Sequence, residues 1–203
     1  MRGPLIALGM ALAFMLGGYY YEFIYPPNKL KRATQVVLDE FGAAVATQDR
    51  EKIGAFLTHW LEEDAMVKLK IEFFTMTHTQ QGADIVQEFD KEEFVHFIDN
   101  TLYSLESYSF DASVGEFELA DDGQTAKLKF AGNPHASGQS YYGGIGIGMQ
   151  FAINMKCDAG VIIREEKPFA RDVDCHLEFR SSPKPSERDK LKDPELYRQF
   201  MTR

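Results

Sequence analysis

A few side chains have types and positions that suit acid–base chemistry. His59 and Trp60 close an apolar segment of helical periodicity, where an imidazole could line the mouth of a pocket. Carboxylates lie near predicted strands at Asp64, Asp111 and Glu116. An isomerase-type base is one carboxyl group aimed into an apolar cavity, opposite a group that stabilises an enolate. The plainer alternative is that Trp60 caps the core and His59 is partly solvated.

The last strand-like segment alternates strictly between apolar and polar residues. Its apolar positions are Val173, Cys175, Leu177 and Phe179, and its polar positions are Asp172, Asp174, His176 and Glu178. The apolar face therefore brings no proton carrier into a cavity. The polar face offers ligands for a cation, but such residues spaced by two on a strand usually form a solvated face. We therefore predict no catalytic residue, no metal and no cofactor, and that the chain is not an enzyme.

The two cysteines of the chain lie on apolar faces of two long predicted strands. If the connection between these strands is centred on Glu166, opposed residues have numbers adding to 332, and Cys157 faces Cys175. Directly opposed residues are close enough for a disulfide after a small adjustment. The spacing predicts a disulfide, which persists in an oxidising compartment. Two buried free thiols are the alternative, and a bulge in either strand would break this register.

Two further segments are candidate partner-binding surfaces. A glycine stripe inside a predicted strand leaves one sheet face flat, either for a partner or for close packing of the protein's own elements; it consists of Gly144, Gly146 and Gly148. Beyond a linker rich in proline, serine and charge, a short C-terminal helix has an apolar stripe of Leu196, Tyr197, Phe200 and Met201. Alone this helix is too short to be stable in water, which suggests a protein partner.

The N-terminal segment predicts a membrane anchor. No charge interrupts the 19 residues from Gly3 to Tyr21, which as a helix would span about 28 Å, close to the ~30 Å hydrocarbon core of a bilayer. Pro26 and Pro27 are expected to end this helix. A cleaved signal peptide and a buried core helix are the alternatives. We expect an uncleaved anchor in the inner membrane, with the soluble domain in the periplasm.

Composition limits the choice of partner. The chain has 203 residues and a net charge of −9, and most of this acidity lies between residues 28 and 180. Nucleic-acid binding needs a basic face, so we predict protein partners and membrane contact through residues 3–21, with no nucleic acid. A homodimer remains open. The predicted domains are a transmembrane anchor at 1–27, a folded domain at 28–181, and a linker with a short helix at 182–203.

The periodicity of the folded domain predicts an α+β fold. Helical spacing covers 30–47 and 50–60, and alternation follows at 67–73. Asp90 opens a third helix with a capping box, and Asp49 resembles an N-cap. Four antiparallel strands are predicted after residue 107, with a bulge at Gly115. We expect a curved antiparallel sheet with helices packed on one face, preceded by one transmembrane helix.

This order resembles the nuclear transport factor 2-like (NTF2-like) superfamily, which includes ketosteroid isomerase and scytalone dehydratase. The likeness covers roughly residues 30–181 and rests on the segments Phe41–Asp49 and Ile53–Leu57, the helix capped by Asp90, and the turn Asp121-Asp122-Gly123. It implies a cone-shaped domain of a kind that hosts enzymes, ligand binders and assembly modules. With an N-terminal anchor, the chain also resembles VirB8-type components of bacterial type IV secretion systems.

Two functions follow from this resemblance. The first is a membrane-anchored, non-catalytic accessory or assembly subunit of a bacterial inner-membrane complex of the secretion type, which binds protein partners through its sheet face and C-terminal helix. The alternative is a small-molecule isomerase- or hydrolase-type enzyme, or a ligand-binding protein. A cavity of a few hundred Å³ with convergent polar groups would distinguish the alternative from the first function. We expect a filled core and the first function.

Overall fold

The computed structural model describes residues 17–74, 83–142 and 145–187. After a π-helical turn at Tyr20–Ile24, the helices are α1 (Pro26–Ala46), α2 (Arg50–Trp60) and α3 (Lys91–Tyr103), and a 3-10 turn follows at Pro185–Glu187. The strands are β1 (Leu61–Phe74), β2 (Ile85–Asp90), β3 (Leu105–Ser109), β4 (Ala112–Leu119), β5 (Thr125–Gly132), β6 (His135–Tyr142), β7 (Ile145–Arg164) and β8 (Lys167–Pro183).

The strands form one mixed sheet in the order β2-β1-β8-β7-β5-β4, with β6 paired to β7 and β3 paired to β6. The pair β1–β8 is parallel, and all other pairs are antiparallel. The prediction of a purely antiparallel sheet is therefore wrong. Strand β1 is the first strand of the chain, yet it pairs with the last strand, and nothing in the local sequence of either strand indicates that contact.

The three helices pack on one face of this sheet, which we call the inner face. The main core cluster holds buried side chains of β1, β7 and β8, such as Val67, Cys157 and Cys175. Helix residues including Leu38, Leu57 and Phe97 pack against this cluster. Charged side chains occupy the opposite, outer face, as the alternation of the strands predicts. The fold is thus an α+β layer pair with an aromatic-rich interior.

Several local predictions are confirmed. Asp49 caps α2 by accepting hydrogen bonds from the backbone N–H groups of Glu51 and Lys52. A reciprocal capping box joins Asp90 and Glu93 at the start of α3. The β4–β5 register shifts between Val114 and Phe117, which is the predicted bulge. Short-range rules therefore place these ends and turns correctly.

Other local predictions are wrong. The helical segment before Pro26 ends at Ile24, as predicted, but α1 begins at the two prolines and not near residue 30, because proline is well suited to the first helical turn, where its missing N–H is not needed. Strand β2 is not among the predicted elements, and β6 is not among the four strands predicted after residue 107. Both strands are short and have weak apolar alternation, so their pairing with β1 and β7 determines their conformation.

A disulfide joins Cys157 and Cys175 across the β7–β8 hairpin, which confirms that prediction. The hairpin turn is the two-residue pair Glu165-Glu166, both at positive φ, so it is tighter than the predicted connection. A register shift between Gly160 and Val161 leaves Arg171 as an extra residue in β8. The shorter turn shifts the register by one residue near the hairpin end, and the bulge shifts it back. The opposed pairs from Met149–Pro183 to Gly160–Asp172 therefore have the predicted register.

Two glutamines on the helical layer protect open edges of the sheet. Gln35 donates from Nε2 to the carbonyl of Ala112 (3.0 Å) and accepts from the N–H of Val114 (2.8 Å) at the edge of β4. Gln48 makes the same pair of bonds with Tyr108 on β3, at 2.6 and 3.2 Å. Each side-chain amide therefore acts as a neighbouring strand would, which is one way that proteins blunt edge strands.

The predicted anchor and tail are described only in part. Residues 3–16 of the anchor lie outside the described ranges, and so do Leu196, Tyr197, Phe200 and Met201. Within the described ranges, no helix has both the length and the apolar composition that a membrane crossing requires. Tyr19, Tyr20 and Tyr21 are exposed.

Candidate functional site

A groove of about 650 Å³ crosses the outer face of the sheet. Outer-face side chains of six strands line it: Met66 and Lys68 of β1, Glu88 of β2, Glu116 and Glu118 of β4, Lys127 and Lys129 of β5, Asp158 and Gly160 of β7, and Asp172 and Asp174 of β8. These residues comprise six carboxylates and three ammonium groups. The groove is therefore acidic, and rigid paired strands hold its walls.

Two aspartates face each other in this groove. Asp158 and Asp174 are directly opposed in the antiparallel β7–β8 pair. Directly opposed residues have β-carbons about 4.5–5.5 Å apart, and like charges at such positions are destabilising. The neighbouring pair on the inner face is the disulfide between Cys157 and Cys175. The disulfide fixes the register, so the two carboxylates cannot separate by sliding of one strand along the other.

The two lysines directly opposed to these aspartates on the neighbouring strands pair with other carboxylates. Lys68 lies across from Asp174, but its Nζ is 3.7 Å from a carboxylate oxygen of Glu88. Lys129 lies across from Asp158, but its Nζ is 2.8 Å from Glu116, whose carboxylate raises the pKa of that lysine. Within the described ranges neither aspartate belongs to an ion pair.

The floor beside the two aspartates combines an exposed apolar side chain with a glycine next to Asp172. Met66 is a large side chain that is 48% exposed there. Gly160 has no side chain, and a β-carbon added to it would lie 3.3 Å from Oδ2 of Asp172. Asp172 accepts a hydrogen bond from Nε of Arg171 at 3.0 Å. The groove thus combines two carboxylates without an ion pair and a surface that an aliphatic chain can contact.

The polar side chains of β8 do not surround a common ligand position, because they have separate partners. His176 Nε2 lies 3.1 Å from Oε1 of Glu72, whereas Glu178 accepts hydrogen bonds from Asn154 and Arg180. In the part of the chain that the structure describes, no group of three or more histidine, cysteine or acidic side chains is arranged to hold a metal ion.

A second candidate site is a buried carboxylate near the β7–β8 hairpin turn. Glu62 is only 8% exposed, and its Oε2 accepts a hydrogen bond from Nη2 of Arg164 at 2.9 Å. Its Oε1 is buried and has no hydrogen-bond partner among the described residues. A buried polar atom without a partner is unusual in a folded protein, so it marks a place where a ligand or solvent group can bind.

Aromatic rings stand beside this pair. The guanidinium of Arg164 lies 5.9 Å from the ring centroid of Phe169, which is 5.4 Å from the ring of Trp60 and 6.1 Å from the ring of His59. The sequence offered His59 and Trp60 as one possible pocket mouth, which stays a prediction, and it did not indicate Glu62. The register shift between Leu61 and Met66 changes which face Glu62 occupies, and simple alternation along β1 could not indicate this.

The other predicted carboxylates lie apart from Glu62. Asp64 and Asp111 are exposed. Glu116 is in the outer groove, where it pairs with Lys129. The structure therefore does not bring these three carboxylates together in an apolar cavity.

The glycine stripe lies partly under the protein's own chain. A β-carbon at Gly148 would meet side-chain atoms of Lys184 and Glu187 at 3.0 and 3.3 Å, so the segment after β8 covers this glycine. Gly146 pairs with Tyr141 between β7 and β6, and Gly144 lies outside the described ranges. Close packing therefore accounts for Gly148. The partner-binding role of the stripe and of Leu196, Tyr197, Phe200 and Met201 stays a prediction.

No protein-family model and no curated protein matches this sequence. Solved structures with a similar arrangement include a candidate dehydratase of the NTF2-like family from Streptomyces avermitilis, at 13% identity and TM-score 0.48, over 74% of this chain and 97% of that chain. A candidate scytalone dehydratase from Novosphingobium aromaticivorans has 8% identity and TM-score 0.45, over 74% of this chain and 83% of that chain.

A candidate aromatic ring hydroxylase from the same organism has 15% identity and TM-score 0.47, over 79% of this chain and 97% of that chain. All three descriptions name enzymes, which contradicts the prediction that the chain is not an enzyme, and we give that prediction up. The matches assign no reaction, ligand or partner to this chain. None of the three is a secretion-system component, so the likeness to VirB8-type components stays a prediction.

Proposed function

We propose that the domain is a small-molecule-binding protein and that its outer groove takes a small organic cation, such as an aliphatic amine. The observation that supports this most strongly is the direct opposition of Asp158 and Asp174, with Lys68 and Lys129, which oppose them on the neighbouring strands, paired to Glu88 and Glu116. An ammonium group between the two aspartates would relieve their repulsion and form charge-assisted hydrogen bonds. The alkyl part of the ligand would lie on Met66 and over Gly160.

Calorimetric titration of the full chain with spermidine tests this proposal. Saturable binding is expected, and Asp158→Asn or Asp174→Asn should weaken it about tenfold, because each variant removes one charge-assisted contact. Asp111→Asn is the matched control, since Asp111 is an exposed aspartate on the chain between β3 and β4, outside the groove lining. The control should bind spermidine as tightly as the unmodified chain.

Two results would overturn the proposal. One is a loss of affinity in the control that equals the loss in the groove variants, which would mean that spermidine coats an acidic surface at no particular place. The other is the absence of saturable binding. Gly160→Val offers a test that alters no charge, because its side chain would fill the floor beside Asp172 and should also weaken binding.

A second candidate function rests on the unpartnered oxygen of Glu62. We propose that Glu62 takes a proton from a carbon next to a carbonyl group, so that a C–H bond breaks, a carboxyl O–H forms and an enolate results. The guanidinium of Arg164 would lie beside the developing negative charge, and the rings of Trp60 and Phe169 would contact the apolar part of the substrate. This is proton-transfer chemistry of the isomerase type.

Hydrogen exchange into small cyclic ketones in heavy water tests the second candidate. The full chain should speed the exchange of α-hydrogens, followed by proton NMR, and Glu62→Gln should abolish the effect. Asp64→Asn is the control, because Asp64 is an exposed carboxylate on the same strand. Equal exchange rates with the unmodified chain and with Glu62→Gln would remove Glu62 from the proposal.

We propose an oxidising compartment for the domain, because a disulfide such as the one between Cys157 and Cys175 persists there. A periplasmic domain behind an anchor at residues 3–21 would satisfy this condition. In that arrangement the chain would present its ligand-binding groove outside the cytoplasm, and protein partners in a membrane complex would be compatible with it. Protease accessibility of the domain in spheroplasts tests the location.

A further inference from the structure

The edge strands of the sheet differ in whether side chains bond to their outward backbone groups. Side-chain amides of Gln35 and Gln48 bond to the edges of β4 and β3. Among the described strands, β2 is also an edge strand, since β1 is its one partner there. Among the residues that the structure describes, no side chain gives β2 a comparable amide bridge. An edge strand directs alternate N–H and C=O groups outward, where they can pair with a further strand.

The side chains of β2 are unusually apolar for an exposed edge. Ile85 is 42% exposed and Val86 is 55% exposed. These residues point to opposite faces of the sheet, because side chains alternate along a strand. The edge therefore offers apolar contact on both faces, and between them backbone groups that no other described strand pairs.

A groove of about 540 Å³ runs beside this edge, between β2 and α3. Its strand side is Gln87–Phe89, and its helix side is one face of α3 formed by Glu93, His96, Phe97 and Asn100. The rings of Phe89 and Phe97 lie 4.8 Å apart and form an apolar part of the lining. A groove between an edge strand and a helix is a shape that accepts a peptide as an added strand.

We propose that an extended, basic peptide segment of a partner protein binds in this groove as an additional strand on β2. The lining contains the carboxylates of Glu88 and Glu93 and no lysine or arginine. Lys68 of β1 offsets part of the Glu88 charge at 3.7 Å, and Glu93 leaves the groove with a net negative charge, so charge complementarity favours a basic segment. Glu88 is on the outer face and Phe89 on the inner face. A segment that alternates basic and apolar residues would place its basic side chains near Glu88 and its apolar side chains near Phe89 and Phe97.

The probe is the synthetic peptide Ac-Lys-Val-Lys-Val-Lys-Val-NH2, added to the full chain. Binding should slow the exchange of backbone amide hydrogens within Ile85–Asp90, measured residue by residue by NMR, because the outward amides of β2 gain partners. The same peptide N-methylated at every residue has no backbone N–H left to donate on either edge and should not protect these amides. A peptide with glutamate in place of lysine should bind more weakly.

Glu88→Lys should weaken binding of the basic peptide about fivefold, since it replaces an attractive charge with a repulsive one. Glu40→Lys changes the net charge equally from an exposed position on α1 and should have no effect. Three results would each overturn the proposal. The two variants could weaken binding equally, the peptide could protect amides of other strands and not those of β2, or the N-methylated peptide could bind as tightly as the unmodified one.

Discussion

Asp158 and Asp174 oppose each other without an ion pair, and the disulfide beside them prevents the strands from shifting. At the residue scale, this predicts a conflict between stability and binding. The pair should reduce the stability of the empty domain because of charge repulsion, and it should become favourable when a cation lies between the carboxylates. Binding sites often retain groups that do not favour the folded state.

We therefore expect Asp158→Asn to stabilise the unliganded domain by about 0.2–1 kcal/mol, the range for cross-strand pairs. Urea unfolding at neutral pH measures this difference. Added salt screens the repulsion, so the advantage of the variant should shrink as ionic strength rises. A variant that is less stable than the unmodified chain at low salt would show that another group already neutralises Asp158.

Glu72 provides a pH-dependent contribution at the same scale. Its carboxylate accepts a hydrogen bond from Nζ of Lys70 at 2.6 Å, and this contact, together with that to His176, lowers the pKa of Glu72 below its ordinary value of 4.5. A lowered carboxyl pKa stabilises the fold above the ordinary value, and this contribution is lost as the pH falls through the lowered pKa.

Glu72→Gln should therefore destabilise the domain at pH 7, and the difference from the unmodified chain should narrow below about pH 4.5. Chemical unfolding at pH 7 and at pH 3 gives the two values. A difference that stays constant between these pH values would mean that the carboxylate contributes through packing and not through its charge.

At the scale of elements, the glutamine bridges connect the helical layer to the sheet. In the variant Gln35→Met, methionine has nearly the same shape as glutamine but cannot make these hydrogen bonds. The carbonyl of Ala112 and the N–H of Val114 would therefore lose their partner. Leaving such backbone groups unpaired is expected to destabilise the domain by about 1–3 kcal/mol. Thermal unfolding measures the loss, with Gln150→Met at an exposed position on β7 as the control. Equal melting temperatures for the two variants would contradict a structural role for Gln35.

The elements also show what the sequence could predict. Helix caps, the Gly115 bulge and the cysteine register follow from rules that act within one strand pair or one helical turn. The parallel β1–β8 pair, β2 and β6 depend on contacts between distant parts of the chain, which local periodicity does not encode. For the site, the sequence indicated Asp172, Asp174, His59 and Trp60. It did not indicate Glu62. The predicted register already places Asp158 opposite Asp174, since their numbers add to 332, but alternation alone did not mark this pair as a site.

At the scale of the whole molecule, the disulfide joins the two longest strands of the sheet. Replacing both cysteines, Cys157→Ala with Cys175→Ala, removes a link that closes a loop of 17 intervening residues. The chain-entropy model predicts a loss of about 3 kcal/mol for a loop of this length. Calorimetry should show a lower melting temperature for the double variant. Reductant should lower the melting temperature of the unmodified chain and leave that of the double variant unchanged.

The central claim is that a small organic cation binds between Asp158 and Asp174, and NMR titration of the isotopically labelled full chain with spermidine tests it most directly. The account predicts saturable shifts of backbone amide signals that cluster at residues 158–160 and 172–174, and their loss in Asp158→Asn. Shifts of similar size at acidic residues all over the domain, or none in the groove at saturating spermidine, would contradict it.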